Sequence, residues 1–159
     1  MRTLLKCLLL IAVAAATVIY SDHRATPSRC QCFAPAEAPP VEVAVEKALQ
    51  KSDVVFLGRV MSGRVAEDNL LGARLEYTFT VTESWKGIDS TSVRVRTGMG
   101  GGDCGYDFKL GRYYLVYANR GAVGSGPYEG QLFTGICTRT APVGSPDART
   151  DIAILRKER

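Results

Sequence analysis

The chain has 159 residues and a formal charge of +4, from 20 lysines and arginines against 16 aspartates and glutamates. This length suits one ordinary domain rather than two, because domains cluster around roughly 100 to 150 residues. The charge is too small to indicate nucleic-acid binding, and the single histidine, His23, excludes histidine-based triads and metal clusters within the domain. No other pattern supports catalysis, so we expect a protein that is not an enzyme and needs no cofactor.

Residues 1–21 are typical of a secretory signal peptide. Arg2 and Lys6 provide the basic start, an apolar stretch follows, and three alanines ending at Ala16 fit the small-residue rule for cleavage. The uncharged run is shorter than the roughly 20 residues that a membrane-spanning helix needs. We therefore expect cleavage after Ala16 or Ser21 and no stable membrane insertion of the mature chain. The expected location is extracellular, or the periplasm or cell surface in a bacterium.

Four cysteines remain once Cys7 leaves with the signal peptide: Cys30, Cys32, Cys104 and Cys137. Four cysteines in an exported chain predict two disulfides. A bridge from Cys30 to Cys32 would close a very strained ring, so both are expected to reach across the chain. A zinc site is the less favoured alternative, because paired C-x-x-C knuckles are absent.

An irregular arm precedes the first predicted element. Residues 22–40 are rich in Pro, Ala and Ser, and the part before the first retained cysteine, residues 22–29, is a spacer. After Pro40, apolar residues at helical spacing predict one short amphipathic helix over Val41–Lys51.

Five segments rich in β-branched and aromatic residues, separated by turn residues, predict five strands. They are Val54–Val65, 73–82, Ser92–Thr97, 113–118 and 132–138. Gly58 and Gly63 interrupt the first, where we expect a bulge or tight bend of a curved sheet. Five strands with one short helix indicate a mainly β fold in the form of a small closed or partly open barrel.

The second and fourth strands differ in pattern. In the second, Tyr77 and Phe79 alternate with polar residues, which places Glu76 on a solvent-facing side. The fourth is almost continuously apolar, as expected of a central strand. Beyond residue 140 a Pro and Gly linker opens a C-terminal tail, residues 141–159, for which one or two marginal helical turns are expected.

Two further patterns concern possible ligands. Arg94, Arg96, Lys109 and Arg112 could cluster and meet an acidic glycan or a membrane surface; alternatively, these charges only solvate the outer face. The glycine-rich segment 98–102 lacks the Lys-Ser/Thr and the helix that follow a phosphate loop, so we expect a flexible or tightly turned loop.

A set of short motifs follows a fixed order along residues 30–140. Cys30-Gln31-Cys32 opens the segment, a helix leads into the sequence SDVVF, and the second strand ends in Trp-Lys-Gly. Asp-Cys-Gly, Gly-Arg-Tyr-Tyr-Leu and the last cysteine, Cys137, come next. This order resembles the netrin-like domain of the tissue inhibitors of metalloproteinases.

The resemblance implies a fold and a disulfide pattern. The fold is a five-stranded OB-type barrel stapled by disulfides, in agreement with the strand pattern. The implied pairs are Cys30 with Cys104 and Cys32 with Cys137. The family's third disulfide of this domain and its cysteine-rich C-terminal domain have no counterpart in the chain.

The resemblance also implies a secreted inhibitor of zinc metalloendopeptidases. In the family, the first cysteine of the mature chain binds the protease's zinc through its α-amino group and carbonyl, and the next side chain enters the specificity pocket. Carried over, Cys30 would bind that zinc if it is the mature N-terminus, Gln31 would enter the pocket, and Cys32 and Phe33 would contact the protease. The alternative is a netrin-like adhesion module without inhibitory activity that binds an extracellular protein or an acidic glycan.

Overall fold

The computed structural model describes residues 30–33, 36–66, 74–122 and 128–158. The predicted signal peptide and the spacer at residues 22–29 lie outside the described residues. In chain order the elements are α1 Val41–Lys51, β1 Val54–Val65, β2 Leu75–Lys86, β3 Ser92–Thr97, a single 3₁₀ turn Gly101–Asp103, β4 Tyr113–Arg120, β5 Leu132–Phe133, β6 Ala141–Pro142 and α2 Pro146–Lys157.

The strands form a closed barrel. Strand β1 pairs antiparallel with β2 on one edge and with β4 on the other, while β3 pairs antiparallel with β2 and parallel with β5. Strand β5 returns to β4 and completes the ring, and the short β6 adds to β4. Closure leaves β1 without a free hydrogen-bonding edge. The predicted mainly β, OB-fold-like barrel of five strands is therefore confirmed.

The curvature of β1 allows it to pair with both β2 and β4. Its pairing with β2 shifts register at Leu57/Gly58 and again between Val60 and Ser62, just before Gly63. The predicted irregularity at Gly58 is thus present. A Cβ atom on this glycine would lie 2.9 Å from a ring carbon of Phe56, so the close approach favours glycine.

Alternate residues of β1 and β4 divide the apolar interior into two cores. Phe56 and Val116 face the inside of the barrel, whereas Val55 and Leu115 face the two helices. Because both faces of β4 are covered, its nearly continuous apolar sequence is explained, as predicted for a central strand. The inner core contains Val54, Phe56, Val60, Tyr77, Phe79, Val95, Phe108, Tyr114, Val116, Ala118 and Leu132. The helix-side core contains Val45, Val55, Leu115, Tyr117, Ala148, Ile152 and Leu155.

The C-terminal segment forms more structure than predicted. Instead of a marginal turn or two, α2 runs for 12 residues, begins with Pro146 and is capped by Ser145, whose Oγ accepts a hydrogen bond from the Ala148 amide. Its buried residues Ile152 and Leu155 complete the helix-side core. None of the helices in the described part of the chain is long and apolar enough to cross a membrane.

A partly buried ion pair joins α2 to the segment between β5 and β6. Arg139 donates to Asp151 through Nε at 2.8 Å and Nη2 at 2.6 Å, and the Tyr117 hydroxyl donates to the same carboxylate at 3.2 Å. Burial raises the pKa of Tyr117, and the nearby Asp151 charge raises it further. Tyr117 therefore remains a neutral donor at physiological pH.

Strand β5 is shorter than the predicted span of 132–138. After Phe133 the chain turns, with the Thr138 amide donating to the Gly135 carbonyl, and the Ile136 amide donates to the Cys104 carbonyl at 3.0 Å. The segment leaves the sheet because it makes these loop contacts next to a cysteine instead of strand pairs.

Removal of one buried side chain tests whether α2 is part of the folded domain. Leu155 is 1% exposed, so Leu155→Ala should lower the free energy of unfolding by about 2–4 kcal/mol. Leu110→Ala is the matched control, because Leu110 is 64% exposed and its loss should cost less than about 0.5 kcal/mol. Urea unfolding followed by the fluorescence of Trp85, the one tryptophan, measures both. If the two variants lose the same free energy of unfolding, α2 does not contribute to the core.

Candidate functional site

Two disulfides join the N-terminal arm to two loops of the barrel. Cys30 is bonded to Cys104 and Cys32 to Cys137, with Cα–Cα distances of 5.1 Å in both pairs. This is the pairing that the resemblance implies. Sulfur atoms in disulfides are not thiolates and cannot act as zinc ligands in this oxidised form. The bonds are compatible with an extracellular location.

Residues Cys30–Phe33, called the ridge below, lie along the outside of the barrel. Gln31 and Phe33 are exposed, and the Phe33 ring is open to solvent in the part of the chain that the structure describes. The cross-links at Cys30 and Cys32 flank Gln31 on both sides. Fixing the chain at two points one residue apart restricts the backbone of this residue before any partner binds.

The loop that carries Cys104 is organised by one carboxylate. Asp103 accepts hydrogen bonds from the backbone amides of Met99 at 2.7 Å, Gly100 at 2.9 Å and Gly105 at 3.1 Å. Burial alone would raise the pKa of Asp103, but these three donors lower it below its usual value. The amides that could have bound a phosphate are thus occupied by the loop's own side chain, and the loop is tightly turned.

Close backbone contacts place this loop beside the segment that carries Cys137. A Cβ atom on Gly105 would lie 2.3 Å from the Gly98 carbonyl oxygen, and one on Gly135 would lie 2.4 Å from the Cys104 carbonyl oxygen. Only glycine allows such approaches. Cys104 itself has a φ of 58°, in the left-handed region that few residues other than glycine adopt. The two barrel cysteines are therefore positioned by backbone packing.

Each of the three segments that carry the cysteines also carries an exposed apolar side chain. Phe33 lies on the ridge, Met99 is 52% exposed on the Cys104 loop, and Ile136, the residue before Cys137, is 49% exposed. We call these three residues the apolar rim. Sequence reasoning identified Phe33 but missed the other two, because each is a single apolar residue in an irregular segment. Their nearness to cysteines was the one available signal.

The structure corrects the prediction that Glu76 is exposed to solvent. It lies on the outer face of β2 as the alternation requires, yet it is only 5% exposed because arginines of β1 and β3 cover it. Arg64 donates through Nε at 3.1 Å and Nη2 at 2.7 Å, Arg96 donates through Nε at 3.0 Å, and Arg94 lies at 3.9 Å. Burial raises the pKa of Glu76, but the hydrogen bonds and charges of Arg64 and Arg96 outweigh it, and the pKa is lowered.

The four basic residues for which clustering was considered are divided between two grooves. Arg94 and Arg96 line a groove of about 500 Å³ together with Arg64 and Arg120, referred to here as the arginine groove. Lys109 and Arg112 line a different groove with Tyr113 and Pro142. The four side chains therefore do not line one common groove.

A scan against protein-family models and a search of curated proteins found no match to this chain.

The buried carboxylate of Glu76 predicts a pH dependence. Because its pKa is lowered from 4.5 on folding, its ion pairs stabilise the fold above that value, and this contribution is lost as the pH falls through the lowered pKa. The free energy of unfolding should therefore fall as the pH drops below about 4.5 and through the lowered pKa of Glu76. Glu76→Gln should be less stable than the wild type at pH 7 and show a shallower fall.

Urea unfolding at a series of pH values measures both slopes. Glu37→Gln, at an exposed position, is the control for removal of one carboxylate and should behave like the wild type. A Glu76→Gln profile parallel to that of the wild type would contradict the role given to the ion pairs.

Proposed function

We propose that this chain is a secreted protein similar to the tissue inhibitors of metalloproteinases, and that the ridge inhibits zinc metalloendopeptidases. The observation that carries the proposal is the exposed ridge Cys30–Phe33, cross-linked to the barrel at both of its cysteines. The proposal assigns no catalytic step to the chain itself.

The proposed chemistry requires Cys30 to be the first residue of the mature protein. Its neutral α-amino nitrogen and its carbonyl oxygen would then bind the protease's zinc and displace the water that attacks the substrate. An α-amino group has a pKa of about 7.7 to 8.0, so its proton must leave on binding. Inhibition should therefore weaken as the pH falls below this range.

The side chains beside the ridge suit a protein partner. Gln31 would extend into the specificity pocket, with its backbone held between the two disulfides. The apolar rim of Phe33, Met99 and Ile136 would supply the apolar contact area that the centre of a protein interface needs. Preorganisation of the ridge would reduce the entropy lost on binding.

Three forms of the oxidised protein test the zinc-binding step. One begins at Cys30, a second has the same sequence with an acetylated α-amino group, and a third begins at Asp22. Only the first offers a free amine at Cys30, so only the first should inhibit a panel of zinc metalloendopeptidases. Inhibition constants measure this directly, and circular dichroism checks that the three forms share one fold.

Two outcomes of this experiment would contradict the proposal. If no form inhibits any member of the panel, the ridge is not an inhibitor. If the acetylated form inhibits as well as the free amine, the α-amino group does not bind zinc. Gln31→Ala, which leaves the amine in place, should change the order of preference among proteases without abolishing inhibition.

A second candidate function is supported by the arginine groove. Glu76 holds arginines from two neighbouring strands in one place, and Arg94 presents a side chain that is 70% exposed. The groove is lined by four arginines, Arg64, Arg94, Arg96 and Arg120, against two glutamates, Glu76 and Glu129. This excess of guanidinium groups, with no aromatic residue among the described residues of the lining, favours a sulfated or carboxylated glycan over a single-stranded nucleic acid.

Retention on immobilised heparin tests the second candidate. Arg94→Ala should elute at lower salt than the wild type. Its affinity should be reduced about fivefold, which corresponds to the roughly 1 kcal/mol that an exposed ion pair contributes. Arg112→Ala is the matched control, because it removes the same charge from a different groove. Arg96 is unsuitable for this purpose, since it is only 11% exposed and supports Glu76. Equal shifts for both variants would indicate binding by net charge alone and would contradict a site in the groove.

A further inference from the structure

The two disulfides lie against each other. The Sγ atom of Cys137, which is bonded to Cys32, lies 3.7 Å from Sγ of Cys104 and 3.8 Å from Sγ of Cys30. Thiol–disulfide exchange occurs when a thiolate attacks a sulfur of a disulfide. A thiolate released at Cys137 would therefore already be next to the remaining disulfide.

The two disulfides differ in exposure. Cys32 and Cys137 are both exposed, whereas Cys30 and Cys104 are partly buried. Access controls which disulfide a reductant attacks. The bond between Cys32 and Cys137 is thus the first to be reached from solvent.

We propose that reduction of the Cys32–Cys137 disulfide is followed by an internal exchange that forms Cys104–Cys137 and releases the ridge. A dithiol reductant attacks the sulfur of Cys32, Cys137 leaves as a thiolate, and the second thiol of the reductant closes its own disulfide and frees Cys32. The Cys137 thiolate then attacks the sulfur of Cys104. A Cys104–Cys137 bond forms, the Cys30–Cys104 bond breaks, and Cys30 leaves as a thiolate that takes a proton.

Electrons and protons balance over these exchange steps. The dithiol loses two electrons and two protons as it becomes a disulfide. The protein, which began with two disulfides, ends with one disulfide and two thiols, at Cys30 and Cys32. No other oxidant or reductant is needed.

The packing of the barrel favours this product. Cys104 and Cys137 belong to neighbouring loops joined by the hydrogen bond from the Ile136 amide to the Cys104 carbonyl and by the close approach of Gly135. Among the described residues, no backbone hydrogen bond joins residues 30–33 to the barrel. The new bond therefore links two segments that stay together, and the ridge loses both of its disulfide bonds to the barrel.

The exchange would act as a redox switch of the ridge, a consequence that rests on the proposed inhibitory function. Inhibition requires the backbone of Gln31 to be fixed, and the exchange frees it while the barrel keeps one cross-link. A single two-electron reduction would thus inactivate the inhibitor without unfolding the domain.

Disulfide mapping after limited reduction tests the exchange. The oxidised mature protein is treated briefly with dithiothreitol, quenched with acid, alkylated with N-ethylmaleimide and digested, and the species with one remaining disulfide is sequenced by mass spectrometry. The expected main product carries the label on Cys30 and Cys32 and retains Cys104–Cys137. A main product labelled on Cys32 and Cys137, with Cys30–Cys104 intact, would overturn the proposal, as would one labelled on Cys30 and Cys104.

A variant without the ridge cysteines provides an independent test. Cys30→Ser combined with Cys32→Ser should form the Cys104–Cys137 disulfide on air oxidation and lose both free thiols in a thiol assay. Two persistent thiols in the folded variant would overturn the exchange. Both experiments detect bonds rather than inhibition, so their failure is distinguishable from a failure of the inhibitory function.

Discussion

The structure depends on two covalent cross-links placed one residue apart on the N-terminal arm. They connect Cys30 to Cys104 and Cys32 to Cys137, over sequence separations of 74 and 105 residues. Considered alone, closing a loop of either length lowers the conformational entropy of the unfolded chain by an amount worth about 4.5 kcal/mol. The more specific effect is local, because among the described residues no backbone hydrogen bond joins the ridge to the barrel, and the two disulfides are its cross-links to the barrel.

The barrel and the C-terminal helix position the far ends of these cross-links. Asp103 fixes the turn before Cys104 through three backbone amides. Two residues beyond Cys137, Arg139 pairs with Asp151 of α2, and Thr140 accepts a hydrogen bond from the Tyr117 amide of β4 at 3.0 Å. The helix-side core therefore supports the segment that carries Cys137.

The local sequence pattern was sufficient to predict the structure of some parts of the molecule but not of others. The helix Val41–Lys51 and strand Ser92–Thr97 have the bounds that periodicity predicts, because their apolar faces pack on the core. The length of α2 was not predicted, because its apolar pattern is weak. The helix is stabilised by its tertiary contact with the barrel. Burial of Glu76 depends on arginines from two other strands, and a single-strand alternation cannot contain that information. The ridge followed from cysteine spacing, whereas Met99 and Ile136 required the fold.

Backbone dynamics of the ridge test the central claim that the two disulfides hold it rigid before it meets a partner. Nitrogen-15 relaxation of the oxidised mature protein should give order parameters of about 0.85 for the amides of Gln31 and Phe33, equal to those of β4. Reduction of both disulfides should lower the order parameters of the two ridge amides more than those of β4. Order parameters below about 0.6 for Gln31 in the oxidised protein would contradict a preorganised ridge.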